Sequence, residues 1–458
     1  MRSFFLILAA ALMLPLYASP KYIFLFIGDG MSVPQRMVAE EFAKKSGYGP
    51  LAMNTLPYQA STRTHSSASL ITDSAAAATA MACGEKTKNG ALGVKSDGAR
   101  VESVAELAKK RGMKVGILTT VTINHATPAG FYAHRTSRSD GYGAGLDLVS
   151  SGFDHFSGGG LLGKSNDVNH PEYKGDVFEL AEKAGYTVTR DVDGWKSLKP
   201  GAKSWSVFCK GPMPFSIDNA GSLPRLYEML EKTIELVDGE KGFFIMCEGG
   251  KIDYAGHAND AATNMRDVIE LDRSVKVALE FMEKHPDETL VIVTGDHETG
   301  GMSMGFSGIG GAFKVELLKG QKVSVEEFSE KIKMEIAKSK GEITFAEVES
   351  LLEKLFGLTN LSKKERAQLE EAFKKDVDFV KSKLVDTTAH DIPRRYVFAQ
   401  AAKNVLNSRA GIGWSSPAHT ALPTLTTAKG KGAEILIGMT DNSDIGKRLK
   451  KLLQDQEK

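Results

Sequence analysis

Four short, unbroken apolar runs constrain the fold of this chain most strongly. The first, Lys21–Ile27 (KYIFLFI), ends at Gly28-Asp29-Gly30, and three later runs cover Val115–Thr120, Phe243–Cys247 and Thr289–Thr294. Such a run followed by a turn is typical of a strand that is buried on both faces. Helical patterns precede the second and third runs, at 101–111 and 223–237. This alternation predicts an α/β fold, a three-layer α/β/α sandwich around a mainly parallel central sheet.

The first eighteen residues resemble a secretory signal peptide. Arg2 supplies a positive charge, the apolar run Phe4–Leu16 follows it, and Ala18 offers a small residue at a cleavage point. Thirteen residues are too few to span a hydrocarbon layer of about 30 Å. No later run is longer, and the charged C-terminus has no apolar tail. We therefore expect residues 1–18 to be removed and the protein to be secreted or periplasmic, without a stable membrane anchor.

A charge-rich segment separates two parts of the predicted core. Residues 307–411 contain 19 Lys and Arg and 16 Asp and Glu, and apolar residues recur there at helical spacing. The predicted helices are Val325–Lys338, Phe345–Phe356 and Lys363–Leu384. We interpret 307–410 as a helical insert, either an accessory lid or subdomain or a solvated structural decoration, and 19–306 with 411–458 as the core. In the second part of the core we predict a strand at Glu434–Gly438 and a closing helix at Ile445–Leu453.

The charge balance and the cysteine content exclude some classes of protein. The chain has 58 Lys and Arg against 57 Asp and Glu, whereas proteins that bind nucleic acid through a general positive field are strongly basic. Three cysteines cannot form a disulfide framework. Cys83, Cys209 and Cys247 lie among apolar or small residues, which favours buried free thiols.

Acidic and histidine side chains follow the ends of several predicted strands. They are Asp29 after the first run, Glu248, Asp253 and His257 after the third, and Asp296 and His297 after the fourth. Asp253 and His257 are four residues apart, so one helix face presents both to the same cation. A single pair of this kind is usually a surface or core feature, but three clusters at strand ends predict a multi-metal site. Nitrogen and oxygen ligands suit Zn²⁺, with a harder Mg²⁺ nearby.

Ser74 begins an alanine-rich segment that favours a helix. Thr72 or Asp73 would cap this helix, which places Ser74 in its first turn. Free N–H groups and the helix dipole would stabilise a phosphoryl group or a serine alkoxide there. The alternative is that Ser74 is simply a capping residue of this helix.

Six ordered motifs resemble those of alkaline phosphatases. They are Ile27–Met31 (IGDGM), Thr72–Ala76 (TDSAA), His125–Ala129 (HATPA) with Ala133, His134 and Arg138, Glu248–Asp253 (EGGKID), Asp296–Gly301 (DHETGG), and His419-Thr420. The resemblance extends over 21–306 and about 411–453. It implies an enzyme that hydrolyses small phosphate monoesters to alcohol and inorganic phosphate, and family members are commonly homodimers.

The resemblance also implies a role for each matching residue. It implies a first zinc held by Asp253, His257 and His419, a second held by Asp29, Asp296, His297 and the Ser74 oxygen, and a magnesium held by Asp29, Thr127 and Glu248. Ser74 would be the nucleophile that forms a phosphoserine intermediate. Arg138 would hold the phosphate, because a guanidinium can donate two parallel hydrogen bonds to two oxygens.

Two positions depart from part of the family. His125 stands where some members have Asp, and Tyr254 stands where others have a cationic or bulky aromatic side chain. The hypotheses are that His125 either biases the third site toward another divalent ion or lies outside that site, and that the Tyr254 hydroxyl binds phosphate.

Three other functions are weighed against a phosphomonoesterase. The first two are a phosphodiesterase and a sulfatase-like hydrolase of the same superfamily. Related phosphodiesterases usually lack the complete magnesium set and the arginine, and sulfatases need a Cys or Ser followed by x-Pro-x-Arg, whereas four alanines follow Ser74. The third is an exported phosphate-binding protein without turnover, which would need neither the metal clusters nor a nucleophile.

Overall fold

The computed structural model describes residues 19–307, 309, 311–385 and 396–454. The predicted signal peptide at 1–18 therefore lies outside the described residues. Among the helices that are described, none combines the length and the apolar character needed to cross a membrane.

A mostly parallel sheet forms the centre of the fold. The strands are β1 Tyr22–Gly28, β2 Tyr58–Arg63, β3 Lys114–Thr122, β4 His155–Gly159, β5 Tyr186–Thr189, β6 Lys203–Val207, β7 Phe243–Gly249, β8 Thr289–Gly295, β9 Glu298–Thr299, β10 Met302–Met304, β11 Ile412–Trp414, β12 His419–Thr420, β13 Thr424–Gly430 and β14 Gly438–Asp441. In the described part of the chain, ten of them form one sheet in the order β14-β2-β13-β8-β1-β7-β3-β4-β6-β5. Within this sheet β13 runs antiparallel to both of its neighbours, and the other pairings are parallel. The predicted α/β fold is confirmed.

Helices cover both faces of the sheet. They are α1 Val33–Lys45, α2 Ser74–Cys83, α3 Val104–Lys110, α4 Ala126–Ala129, α5 Gly141–Ser151, α6 Val177–Lys183, α7 Val192–Ser197, α8 Leu226–Val237, α9 Lys251–His257, α10 Ala261–Lys284, α11 Val325–Lys338, α12 Phe345–Phe356, α13 Lys363–Val385, α14 Val397–Ala410 and α15 Asn442–Gln454. Strand β1 shows why two layers are needed, because its side chains alternate between two apolar clusters. Phe24 and Phe26 enter the cluster that contains α1, α8 and α10, whereas Ile23 and Leu25 enter the one that contains α2, α3 and α15.

The charged segment is helical, as predicted, and it packs against the apolar cluster that contains Phe24 and Phe26. Helices α11 and α12 have the predicted bounds, and α13 extends one residue further than predicted. The fourth helix, α14, was not predicted. The rings of Phe328 and Phe356 lie 4.6 Å apart, and Phe398 of α14 lies 6.0 Å from Phe328. All three belong to the same cluster as Phe24, so an apolar interface joins these helices to the core.

Two local predictions were wrong. The segment predicted as a strand at Glu434–Gly438 instead forms a 3-10 turn at Ala433–Ile435, and β14 begins at Gly438. Gly432 and Gly438 adopt left-handed backbone angles that interrupt an extended strand. All three cysteines are free, but Cys209 is half-exposed rather than buried.

Candidate active site and metal-binding clusters

The carboxyl ends of three adjacent strands bring the acidic residues together. Strand β1 pairs with β7 on one side and with β8 on the other, and Gly28 is in register with both Gly249 and Gly295. Asp29, Glu248 and Asp296 therefore meet at the same edge of the sheet, and each is fully buried. This is the edge at which ligands bind in parallel α/β sheets.

Helix α9 and a short ladder build the first cluster. Asp253 and His257 lie one turn apart on α9, with 3.3 Å between the Asp253 Oδ2 and His257 Nε2 atoms. Strand β12 pairs with β9 and brings His419 to within 3.2 Å of His257, measured between their Nε2 atoms. The Thr299 hydroxyl donates a 2.5 Å hydrogen bond to Asp253 Oδ1. Although burial opposes it, the contact with His257 lowers the pKa of Asp253.

The second cluster contains Asp29, Asp296, His297 and Ser74. The Nε2 atom of His297 lies 3.4 Å from Asp29 Oδ1, 3.2 Å from Asp296 Oδ2 and 3.2 Å from Ser74 Oγ. All four side chains are buried. Burial also lowers the pKa of His297, which keeps the imidazole neutral, the form that binds metal ions.

The third cluster lies beside the second. Ligand atoms of Asp29, His125 and Glu248 lie within 4.8 Å of one another, and the Thr127 hydroxyl lies 3.4 Å from Asp29 Oδ2. The Thr119 hydroxyl donates a short hydrogen bond to Glu248. His125 thus lies within the third cluster, so the alternative that it lies outside this cluster does not hold.

Several ligand atoms in these clusters have no hydrogen bond in the structure. Among the described residues, none donates to Asp29 Oδ1, Asp296 Oδ2 or Glu248 Oε1, and none binds His125 Nδ1, although all four atoms are buried. Burial raises the pKa of Asp296 to about 7 and that of Glu248 to about 8, and burial together with Asp296 raises the pKa of Asp29 well above its usual value. Buried carboxylates at this density need cations to stay ionised. The donor set therefore fits divalent metal ions.

Ser74 lies where helix α2 begins, as predicted. The Asp73 side chain caps the helix by accepting a 3.0 Å hydrogen bond from the Ala76 N–H, so Ser74 is left free of the capping task. The same carboxylate holds Arg138, whose Nη1 atom lies 3.1 Å from Asp73 Oδ2. The other terminal nitrogen of Arg138 lies 3.2 Å from His125 Nε2. The guanidinium is thereby fixed beside the serine.

Tyr254 lies at the outer side of the third cluster. Its ring meets that of His125 edge-on, with 6.0 Å between centroids, and the Lys251 ammonium lies 4.8 Å from the Tyr254 ring. Burial raises the pKa of Tyr254 to about 12, so its hydroxyl remains a hydrogen-bond donor at alkaline pH.

Four contact residues of the site were missed from the sequence. Thr119 lies inside a strand that was predicted for its apolar pattern, and the Thr299 contact depends on the fold of a loop. Glu298 accepts hydrogen bonds from Gln35 and from the Gly301 N–H, and so holds the loop that carries Asp296 and His297. Asp73 was expected only as a possible cap. For Asp73, Glu298 and Thr299 the available signal was a polar side chain within one of the motifs, whereas Thr119 gave none.

Comparison with known proteins agrees with this geometry. The sequence profile described as alkaline phosphatase matches residues 20–145 and 201–455. The chain is 33% identical over 448 residues to alkaline phosphatase 3 of Bacillus subtilis strain 168, which covers 95% of this chain and 89% of that protein. Its fold is similar to the crystal structure of a cold-active alkaline phosphatase from a psychrophilic Shewanella species, with a TM-score of 0.79, 26% identity, and coverage of 94% and 99%.

A further similar structure is a TAB5 alkaline phosphatase mutant, described as having a His replaced by Asp and Mg bound in its M3 site. The TM-score is 0.67, the identity 25%, and the coverage 96% of this chain and 99% of that one. The profile match spans most of the chain, and the Bacillus relative aligns over nearly its full length. The chain belongs to the alkaline phosphatase family, whose members hydrolyse phosphate monoesters.

Proposed function

We propose that this phosphatase acts through a phosphoserine intermediate on Ser74 at a centre of two zinc ions and one further divalent ion. The observation that carries the proposal is the presence of three adjoining carboxylate and histidine clusters, one of which includes a buried serine at a helix N-terminus. Neutral imidazoles and carboxylates are common zinc ligands, whereas carboxylate and hydroxyl oxygens suit magnesium.

The proposed ligands follow the three clusters. Asp253, His257 and His419 would hold the first zinc, Asp29, Asp296, His297 and Ser74 the second, and Asp29, Thr127 and Glu248 the magnesium. Bound divalent cations would neutralise the phosphate and stabilise charge on the attacking and leaving oxygens of an in-line displacement.

The side chains of the chain itself perform the rest of the reaction. The Ser74 Oγ attacks phosphorus, an Oγ–P bond forms, the bond to the leaving oxygen breaks, and the serine proton ends on the alcohol. The N-terminus of α2 stabilises the negative charge that develops at Oγ. Arg138 donates hydrogen bonds to two phosphoryl oxygens, and Asp73 keeps it oriented. Water then attacks phosphorus, the Oγ–P bond breaks, a proton of the water returns to the Ser74 Oγ, and inorganic phosphate leaves.

A trapping experiment tests this proposal. We expect the metal-loaded enzyme to hydrolyse p-nitrophenyl phosphate with a burst of product, and acid quenching to yield a Ser74 peptide that mass spectrometry identifies as phosphorylated. Rates for bis-p-nitrophenyl phosphate should be lower by about 10³-fold or more, since a diester offers one charged oxygen fewer to the site. A faster diester reaction, or phosphate on another residue, would contradict the proposal.

The composition of the third site depends on His125. An imidazole nitrogen favours zinc over magnesium, so we expect His125→Asp to bind Mg²⁺ more tightly, by roughly tenfold or more. Metal analysis after dialysis against mixed Zn²⁺ and Mg²⁺, together with Mg²⁺ titration of activity, measures this change. His134→Asp is the matched control, because His134 bonds Gly93 and Glu106 outside the clusters. Equal Mg²⁺ affinity of the wild type and His125→Asp would contradict the proposed effect of His125 on the third site.

The Tyr254 hydroxyl is expected to bind phosphate. Loss of one hydrogen bond to a charged group is worth about 1.5–3 kcal/mol, so Tyr254→Phe should raise both KM and the inhibition constant of phosphate by roughly ten- to a hundredfold. Steady-state kinetics with phosphate as inhibitor decide this. Unchanged constants would restrict Tyr254 to packing against His125 and Lys251.

Export, the domain division and oligomeric state are further parts of the proposal. The apolar run Phe4–Leu16 supports a cleaved signal peptide and action outside the cytoplasm. The division into a core and an insert at 307–410, and a homodimer, stay predictions from sequence pattern and resemblance.

A further inference from the structure

A cavity of about 740 Å³ lies between helices α1 and α10 and the start of the charged segment. Arg225, Arg266, Arg273, Lys319 and Lys322 line it, and we call it the basic cavity. Its single acidic lining residue among those described is Glu270. None of the residues assigned above to the three metal-binding clusters lines it. The volume is in the range of cavities that bind small organic ligands.

The cations of the basic cavity form no close ion pair with a carboxylate of the described residues. In the described chain, no carboxylate oxygen lies within ion-pair distance of the five charged groups. Arg225 donates to the carbonyl oxygens of Ser216 and Asn219, each at 2.8 Å, and Arg266 donates to those of Ala262 at 2.7 Å and Gln321 at 3.0 Å. Neutral carbonyls orient these groups, and the nearby carboxylates, Glu270 beside Arg225 and Arg273 and Asp260 and Asp267 beside Arg266, are fewer than the five cations.

Arg273 and Glu270 are two further charged groups that line the basic cavity. The Arg273 guanidinium lies against the rings of Tyr48 and Tyr227, at 5.6 and 5.9 Å from their centroids. The Glu270 carboxylate accepts a 3.1 Å hydrogen bond from the Leu226 N–H and a weaker one from Ser216. Burial raises the pKa of Glu270, although Arg225 and Arg273 oppose that shift, and the cavity lining still places five cations beside this one carboxyl group. Like charges held around one cavity repel one another, and a bound anion would relieve that repulsion.

The spacing of the arginines indicates an anion with more than one charged group. Arg266 and Arg273 are seven residues apart on α10, which places their backbones about 10 Å apart along the helix axis. Lys319 and Lys322 lie near the Arg266 end, because Arg266 donates to carbonyls at Leu318 and Gln321. Guanidinium groups suit phosphate because of their planar fork of donors. We propose that the basic cavity binds a small molecule that carries two phosphate groups.

Calorimetric titration with fructose 1,6-bisphosphate tests this proposal. The metal-loaded Ser74→Ala protein is used so that the probe binds without turnover, and low salt keeps electrostatic binding strong. Continued release of phosphate by this variant would show that the proposed role of Ser74 is wrong. We expect two binding sites per chain, the active site and the basic cavity. Adding Arg273→Glu should leave binding at the active site unchanged and lower the affinity of the basic cavity by at least tenfold. Adding Lys322→Glu should also weaken binding at the basic cavity. Fructose 1-phosphate should occupy the active site alone.

Lys354→Glu is the matched control for the charge change. Lys354 is exposed on α12, does not line the basic cavity, and its reversal changes the net charge by the same amount. This variant should keep both sites. One site per chain in the Ser74→Ala protein, equal loss in the Lys354→Glu control, or equal binding of fructose 1-phosphate at the second site would each overturn the proposal. Thermal unfolding of each variant without ligand checks that the fold is intact.

Discussion

Replacing Ser74 by Ala is expected to lower kcat for p-nitrophenyl phosphate by about 10⁴-fold or more, while the melting temperature stays nearly constant. The loss is large because the proposed nucleophile is removed, and the nearby Thr299 hydroxyl lies at the other ring nitrogen of His297 and donates to Asp253. The stability should change little because Asp73 caps helix α2, and the hydrogen bond of the Ser74 hydroxyl to a described side chain is the one to His297. Steady-state kinetics and thermal unfolding measure the two effects.

Ser103→Ala provides the opposite result and serves as the control. The Ser103 hydroxyl accepts a 3.1 Å hydrogen bond from the Glu106 N–H and caps helix α3. Its loss should lower the free energy of unfolding by about 1 kcal/mol and leave kcat unchanged. Turnover by Ser74→Ala within tenfold of the wild type would contradict the nucleophilic role of this residue.

The apolar strands could be predicted because each is buried on both faces. Strand β1 needs no polar face, so its sequence reveals it without any knowledge of its partners. Strand β13 was missed because its TLTTAKG sequence is rich in polar Thr residues. Thr426 pairs its hydroxyl with those of Thr62 and Thr294, at 2.7 and 2.8 Å, and these contacts join segments far apart in the chain. No local pattern contains that information.

The candidate site shows the same division between local and distant information. Asp253 and His257 share one helix face, so their spacing alone indicated one cluster. His419 lies 162 residues beyond His257, and only the β9–β12 ladder brings the two rings together. The resemblance to a family supplied this residue, whereas the residue pattern did not. The contact of His125 with the third cluster likewise depends on how α4 begins after β3.

The near-zero net charge of the chain says little about its anionic substrate. The negative charge of Asp29, Glu248 and Asp296 is concentrated at the buried edge of three strands, where cations would convert it into a centre that attracts phosphate. Arg138 is held beside Ser74 by the Asp73 carboxylate. A substrate responds to this local arrangement of charge, which the net charge of the whole chain does not reveal.

Removing the metals is expected to make the fold less stable as the pH rises from about 6.5 to about 8.5. In the unfolded chain the site carboxyls ionise near pH 4. In the metal-free fold burial holds the pKa of Asp296 at about 7 and that of Glu248 at about 8, with the pKa of Asp29 also raised. The folded form therefore binds more protons than the unfolded form in this window, and its free energy of unfolding falls as pH increases. The loss should be about 2–4 kcal/mol, which for a chain of this length lowers the melting temperature by roughly 2–4 °C.

The pH window and two variants identify the carboxyl groups as the cause of this loss of stability. Above pH 6.5 histidines are mostly neutral in the unfolded chain, so the buried neutral His125 and His297 add little to the slope. Glu248→Gln should reduce the slope in the chelated protein, whereas Glu353→Gln, an exposed change on α12, should leave it unaltered. Protein reloaded with zinc and magnesium should lose the slope, because cations replace protons on the same oxygens and bind more tightly at higher pH. A chelated protein whose melting temperature stays constant or rises across this window would show that the clusters do not hold uncompensated carboxylates.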